Sequence, residues 1–525
     1  MRILSMNPGH DGAIAFVEDG RLIYSLEGEK DSFGRYGGIS ASLVLQAMDM
    51  APGQPDVLAI GGWHKALPGY LSQHGAGYFG VDPGVTSEGS FCGKPVTVFT
   101  SSHERSHLFM VAAMAPAAPL RECVILVWEG EIGAFYHWQN YGAKITPLPV
   151  LAEPGSRYAA LFALADPTFW DSGDVPRLQD AGKLMALTAY AADSEPRSEV
   201  KEVVEEFMKP GKTFEPFEKI SFRDSALYNC GVDSPLLHTA ARYLTTRLFE
   251  TFRSVAESRL PRGLPLLISG GCGLNCEWNR SWRESGLFTD VFVPPCANDS
   301  GSAIGTAMDA ATYFGEPCRL EWNVYAGAPF VHDGEPDPAR WSVQPLHVER
   351  LARQLLDGRV AAWVQGRYEI GPRALGHRSL LASPLTAGAK DLLNTIKKRE
   401  GYRPIAPCCI AEDMGLWFDN PVEDPYMLYF SRVRTDALPA VTHVDGTARV
   451  QSVRSSDEPT LYRLLESFRA VSGYGVLCNT SLNFSGHGFI NRMSELIGYC
   501  ETKNISDVIV GDSWYQRSEL GSTHT

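Results

Sequence analysis

The chain opens on short apolar runs bounded by turn residues. In RILSMNPGHDGAIAFVEDGRLIYSLEGEK the runs AIAFV and RLIYSL are separated by EDG, and PGHDG precedes them. Alternation of this kind places apolar side chains on one sheet face, so three strands joined by turns are predicted. ASLVLQAMDMA shifts to helical spacing, and PDVLAIGGW reads as a short buried strand. HERSHLFMVAAMAP is predicted helical as far as Pro116, because proline cannot continue the ladder. VILVWEGEIGAFYHW is strand, turn, strand.

The same order of elements returns further on. HTAARYLTTRLFETFRSVAESRL is a long amphipathic helix, LPLLISGGCGLN a buried strand ending on glycines, and SGSAIGTAMDAATYF a glycine-initiated helix. Between Glu321 and Trp341 the chain becomes rich in Pro and Gly (YAGAPFVHDGEPDPAR), which predicts a linker. Beyond it come VERLARQLLDG as helix, RVAAWVQG as strand, a basic loop, and the strands TARVQSV and YGVLCNTSLN. Strands alternating with helices indicate an α/β class, divided into residues 1–335 and 346–525.

Composition narrows the partners. The 525 residues are 44% hydrophobic and 21% charged, a balance that supports a large globular core. The formal net charge of −14 repels phosphate backbones, so nucleic acid is not an expected partner. No apolar run reaches the roughly 18 residues of a membrane span, and MRILSMNPGHDG lacks a basic segment followed by an apolar one. The eleven scattered Cys form neither a disulfide framework nor paired zinc ligands. A cytoplasmic protein with reduced thiols and no membrane association is expected, and a homodimer by base rate.

Three strand ends carry glycine beside polar residues: PGHDGAI (Gly9, Gly12), WEGEIG (Gly130, Gly133) and ISGGCGLN (Gly270, Gly271, Gly273). Such turns let backbone N–H groups close around a phosphate, and three of them suggest a two-lobed nucleotide clamp. His10 and Asp11, inside the first loop, read either as a capped turn or as a general base. HERSH places His103 and His107 one helical turn apart with Glu104 between them, which matches the zinc-peptidase pattern. The longer pattern with a third His fails, since LFMVAAM follows His107, and Glu129 and Glu131 fall on a strand hairpin instead of a second helix. A metal held by the two His and a carboxylate from elsewhere remains, with Asp299 of PPCANDSGSAIG the best candidate. Against it stands the plain reading of two His on an amphipathic helix.

Taken in order, GHDGAIA, the H-x-x-x-H pair, AGKLMAL, SGGCGLNCEWN, PPCANDSGSAIG, QGRYEIGPRALGHRS, KKREGYRPIAP, HVDGTARVQ and CNTSLN resemble the O-carbamoyltransferases of antibiotic and nodulation-factor biosynthesis. The resemblance implies a duplicated actin-like (ASKHA) domain, similar to the tRNA threonylcarbamoyl-transferase subunit, followed by an α/β domain similar to threonylcarbamoyl-AMP synthase. It implies that carbamoyl phosphate and ATP, with Mg²⁺, form carbamoyl-adenylate, and that a small-molecule alcohol then takes the carbamoyl group. In the first domain it implies a divalent metal, iron, on His103, His107, Asp299 and a fourth carboxylate. That position is usually Asp and is here Glu129, one methylene longer. His10 and Asp11 become the catalytic pair, and Lys183, Gly270, Gly271 and Asn275 the nucleotide-contacting positions.

In the second domain the implied donor site is Arg373, Lys397, Arg399, Arg403, Arg449, Asn479, Ser481 and Asn483. The chemistry agrees, because two phosphorylated substrates require cations and Arg binds phosphate bidentately. Arg378 is a further candidate, and Lys398 competes with Lys397 for the lysine position. Gly486-His487-Gly488 stands where the family usually has Gly-Glu-Pro. A threonylcarbamoyl-type tRNA enzyme would share both folds, but −14 charges disfavour tRNA. A non-catalytic nucleotide-binding regulator would have no need of a second phosphate site.

Overall fold

Two sheets in the N-terminal part of the computed structural model repeat one strand order; residues 1–63, 77–191, 195–419 and 423–518 are described. The first sheet contains β1 (Arg2–Asn7), β2 (Ala13–Glu18), β3 (Arg21–Glu27), β4 (Val57–Gly61), β5 (Val85–Phe91) and β6 (Lys94–Ser101), with α1 (Ala41–Met50) before β4. Its order is β3-β2-β1-β4-β6-β5, with β1 antiparallel to β2 and parallel to β4, and β4 parallel to β6. After α2 (His103–Met114) come β7 (Glu122–Trp128), β8 (Gly133–Gln139) and β9 (Lys144–Pro149). Helices α3 (Pro154–Ala165), α4 (Leu178–Leu187), α5 (Ser198–Met208) and α6 (Pro235–Arg259) precede β10 (Leu266–Ser269), α7 (Cys276–Glu284) and β11 (Val291–Phe292). The second sheet runs β11-β10-β7-β8-β9, with β10 parallel to β7 and β11. In each sheet, then, three consecutive strands are followed by two parallel ones.

The helices that follow the last parallel strands are also equivalent. These are α2 after β6 and α8 (Ser302–Tyr313) after β11. They cross closely: a Cβ on Gly305 would lie 1.7 Å from Ser106 O, and one on Gly301 2.3 Å from Met110 Sδ. Every residue of α2 is buried, so the helix carries its His pair inside the protein. Ser102 caps α2 by accepting from Arg105 N. This is the duplicated actin-like arrangement expected from the sequence. The long helix predicted around 238–260 is α6, capped by Ser234 with Pro at its first turn; Leu237, Ala240, Ala241, Leu244, Leu248 and Phe252 form its buried stripe.

The C-terminal part is built on one eight-stranded sheet. Its elements are β12 (Trp341–Pro345), α9 (Val348–Leu356), β13 (Ala361–Val364), β14 (Arg378–Ala382), α10 (Ala387–Lys397), β15 (Ala406–Ile410) and α11 (Met414–Trp417). There follow β16 (Ser431–Arg432), β17 (Thr447–Ala448), β18 (Gln451–Val453), α12 (Pro459–Ser472), β19 (Val476–Ser481), α13 (Met493–Thr502), β20 (Asp507–Val510) and β21 (Ser513–Arg517). The order is β12-β21-β20-β13-β14-β19-β15-β18. Along β13, Ala362 and Val364 enter one hydrophobic cluster while Ala361 and Trp363 enter another. Both faces of the central strands are therefore covered. TARVQSV, read as one strand, is two: β17 pairs with β16 in a separate ribbon, and β18 joins the sheet edge.

By contacts the chain forms two compact units. One holds residues 1–9, 13–23 and 48–322; the other holds 10–12, 24–47 and 323–525. The change at 322–323 falls inside the Pro- and Gly-rich stretch read as a linker. All eleven cysteines are thiols outside any disulfide. Among the described residues no helix is long and apolar enough to cross a membrane.

Candidate active sites

Within the first unit, four side chains from one helix and two turns converge. His103 and His107 come from α2, Glu129 from the turn after β7, and Asp299 from the turn leading into α8. One ligand atom from each lies within 4.8 Å of all the others, and all four residues are buried. The two Nε2 atoms are 3.1 Å apart. Glu129 Oε2 is 3.3 Å from both, and Asp299 Oδ1 is 3.3 Å from His107 Nε2 and 3.7 Å from His103 Nε2. Ligands placed about 2.1 Å from a common ion have mutual distances of this size, so the residues fit a divalent cation. The glutamate's extra methylene does not keep it out of the cluster.

Neighbouring groups fix these four side chains. Ser269 Oγ, at the end of β10, lies 2.8 Å from His107 Nδ1. The Tyr78 hydroxyl donates to Glu129 Oε1 at 2.9 Å, and its ring stacks on His103 with centroids 4.3 Å apart. Asn7 Nδ2 donates to Asp299 O at 3.0 Å. Burial disfavours charge on His107, but hydrogen bonds to Asp299 and Glu129 outweigh it and raise the imidazole to about 10. Burial likewise opposes ionisation of Glu129, yet its bonds to His103 and His107 hold it well below the usual carboxylate range. Glu104 takes no part: Tyr136 Oη donates to its Oε1 at 2.5 Å and Gly80 N to its Oε2 at 2.7 Å. A glutamate held this way is no peptidase base.

The second unit gathers cations. Lys397, at the end of α10, is buried, and its Nζ donates to Ser481 O at 2.6 Å and to Asn483 O at 3.2 Å. It also reaches Ser481 Oγ at 3.3 Å and Asn483 Oδ1. Lys398 instead takes the left-handed C-cap position, with φ 50°, and is exposed. The helix register thus selects Lys397 as the residue tied to Ser481-x-Asn483. Burial pulls Lys397 well below the ordinary lysine range, and Arg399, Arg35 and Arg403 add to the effect. Arg399 is lowered by burial first, then by Arg403 and Arg449. Arg449 Nε is buried without a hydrogen-bond partner among the described residues. Such a group of cations is unfavourable by itself and is relieved by an anion.

Several candidates have other partners. Arg378 is fully buried, and its guanidinium donates to Gln365 O, His377 O, Gly366 O and Asn491 Oδ1. It is thereby a scaffold residue of the 365–378 loop, a correction to its reading as a phosphate ligand. The neutral main-chain acceptors that it satisfies carry no sequence signal. Asn479 Nδ2 donates to Ala374 O at 3.2 Å and to Gln451 Oε1 at 2.8 Å, pinning the loop that bears Arg373. Asn275 caps α7 by accepting from Glu277 N and Trp278 N. Gly270, φ +95°, passes so near Trp128 that a Cβ would sit 2.4 Å from its carbonyl oxygen. Gly271 begins the short turn after it. Lys183 lies on α4, 2.9 Å from Asp180.

His10 Nδ1 lies 3.1 Å from Asp11 Oδ2, and both residues belong to the second unit. Sequence reasoning passed over Tyr78 and Ser269, which belong to no motif quoted for the metal site.

The first unit is a duplicated actin-like protein with a buried His₂-carboxylate₂ cluster. A family model described as Carbamoyltransferase N-terminus matches residues 92–308, and one described as Carbamoyltransferase C-terminus matches 352–517. The chain is 54% identical over 520 residues to a 3'-hydroxymethylcephem-O-carbamoyltransferase of Amycolatopsis lactamdurans, covering 99% of this chain and 100% of that one. It is 52% identical to the enzyme of the same name from Streptomyces clavuligerus, covering 98% and 99%. Nodulation protein U of Rhizobium tropici is 33% identical, covering 93% and 92%. The chain belongs to the carbamoyltransferase family, and it is a carbamoyltransferase.

Proposed function

We propose that this is a cytoplasmic, ATP-dependent O-carbamoyltransferase whose acceptor is the hydroxymethyl group of a 3'-hydroxymethylcephem. The observation that carries the donor half is the buried Lys397 bound to Ser481 and Asn483 among Arg399, Arg403 and Arg449. The acceptor rests on full-length identity of 54% and 52% to two proteins named for that substrate.

Water cleaves carbamoyl phosphate to carbamate and inorganic phosphate. A carbamate oxygen attacks the α-phosphorus of ATP, carried with Mg²⁺, and pyrophosphate leaves. The acceptor oxygen then attacks the carbamoyl carbon and AMP leaves. In the adenylation step Lys397, Arg399, Arg403 and Arg449 hold phosphate and carbamate oxygens, Arg373 and Asn479 line the loop beside them, and Ser481 and Asn483 orient the lysine. In the transfer step His10 accepts the hydroxyl proton, with Asp11 orienting its ring. Lys183, Gly270, Gly271 and Asn275 are the nucleotide-contacting positions. His103, His107, Glu129 and Asp299 would hold the metal, for which iron(II) suits the two-nitrogen, two-oxygen set. Bound there, it would supply Lewis acidity toward a phosphate or carbamoyl oxygen.

The test is pyrophosphate release by the purified protein with ATP, Mg²⁺ and carbamoyl phosphate, in parallel with bicarbonate plus threonine. Release with carbamoyl phosphate alone is expected, followed by carbamoylation of an added 3'-hydroxymethylcephem seen by mass spectrometry. Release only with threonine overturns the donor. Release without a carbamoylated cephem overturns the acceptor.

A further inference from the structure

The N-terminal segment 24–47 folds into the second unit and is fixed there by charged side chains. Lys30 Nζ lies 3.1 Å from Glu27 Oε2 and donates to Gly371 O at 2.8 Å. Arg492 Nε donates to Asp31 Oδ2 at 2.9 Å, and Ser32 Oγ to Glu495 Oε2 at 2.6 Å. A Cβ on Gly488 would come within 1.9 Å of Glu29 O, so the two backbones touch and this glycine has no room for a side chain.

That contact sets Arg35 at a particular place. Gly34 bridges His487, Arg35 N donates to Gly486 O at 3.1 Å, and Gly488 N donates to Phe33 O at 2.9 Å. The 486–488 turn is itself held by Asn483, whose Nδ2 donates to His487 O at 2.8 Å. Asn483 is also a residue that receives Lys397. Arg35 thus reaches the lysine's partners through one short ladder. Burial chiefly depresses Lys397 and Arg403, and the positive charge of Arg35 adds to it at both.

Its counter-charge is local. Glu29 Oε2 lies 3.4 Å from Arg35 Nε, and Glu29 is buried. Burial opposes its ionisation, but Arg35 and Lys30 together hold it below the ordinary glutamate range. Glu27 is pushed the other way by burial. Arg35 Nε makes no hydrogen bond among the described residues, though it is buried.

We propose that Arg35 is a phosphate-binding residue of the second unit, donating to the same phosphate-bearing ligand as Lys397, Arg399 and Arg403, with Glu29 as its positioning residue. The segment 24–47 then completes a site whose other residues lie some 360 or more positions downstream. This rests on the donor site described above.

The test is calorimetric titration of the full-length protein with inorganic phosphate and, separately, carbamoyl phosphate. Wild type, Arg35→Ala, Arg35→Lys and Lys397→Ala are compared. Binding by wild type, weakened roughly ten-fold or more in Arg35→Ala, is expected, because a charge-assisted bidentate contact is lost. Arg35→Lys keeps the charge but not the fork and should fall between the two; it carries the test alone if the alanine variant does not fold. Wild-type affinity in Arg35→Lys and Arg35→Ala, with Lys397→Ala weakened, overturns the role of Arg35 and leaves the donor site intact. No binding of either anion by wild type overturns the donor site, and Arg35 with it.

Discussion

His103 and His107 present Nε2 atoms 3.1 Å apart, each 3.3 Å from the same oxygen of Glu129. Two imidazolium nitrogens that close repel each other, whereas one divalent ion between neutral rings satisfies both. Purified protein dialysed against Fe²⁺ under anaerobic conditions should therefore retain about one metal per chain by elemental analysis. His107→Ala should retain almost none. Equal metal content in the two proteins would remove the cluster as a metal site.

Tyr78 donates to one Glu129 oxygen at 2.9 Å and leaves the other facing the two histidines. Outer partners of this kind fix ligand orientation, and their loss costs about ten- to hundred-fold in metal affinity. Tyr78→Phe should weaken affinity by about ten-fold in competition with a chelator, and Glu129→Gln by more. Unchanged affinity in Tyr78→Phe would mean the bond does no orienting.

Gly305 packs against the backbone of α2, where an added Cβ would lie 1.7 Å from Ser106 O. Both partners are main chain inside buried helices, so neither can swing aside. Gly305→Ala should destabilise the protein by about 3 kcal/mol in denaturant melts, and should also lower metal retention by moving His107. Wild-type stability would show that α2 and α8 separate without cost.

What could be read beforehand depended on range. The strands β1 to β3 and helix α6 announce themselves through local apolar spacing, and the structure places them as predicted. The His pair was legible because residues four apart in one helix share a face. Helix α3 has eleven of twelve residues buried, so it shows no polar face and no periodic signal. The hairpin β5–β6 failed for the opposite reason: β5, VTSEGSF, has no buried residue. Lys397 and Lys398 are adjacent, and only the point where α10 turns left-handed distinguishes them. That Arg35 belongs with the second unit depends on contacts across 450 positions, which no local pattern encodes.

Lys397 supplies a pH prediction. Burial, then Arg399 and Arg35, hold its amine well below the ordinary lysine range. In the proposed donor site the charged form binds the anion, so binding is complete below the lowered value and is lost as pH rises through it. Pyrophosphate release should accordingly decline on the alkaline side well before an ordinary lysine would titrate, near 10.4. Bound phosphate favours the charged amine, so the decline should move to higher pH as the carbamoyl phosphate concentration is raised. In Lys397→Arg the guanidinium keeps its proton across this range, so whatever activity remains should lack the alkaline limb. The measurement is initial rate of pyrophosphate release against pH, at two donor concentrations, for both proteins. An alkaline limb that persists unchanged in Lys397→Arg would assign that titration to another group.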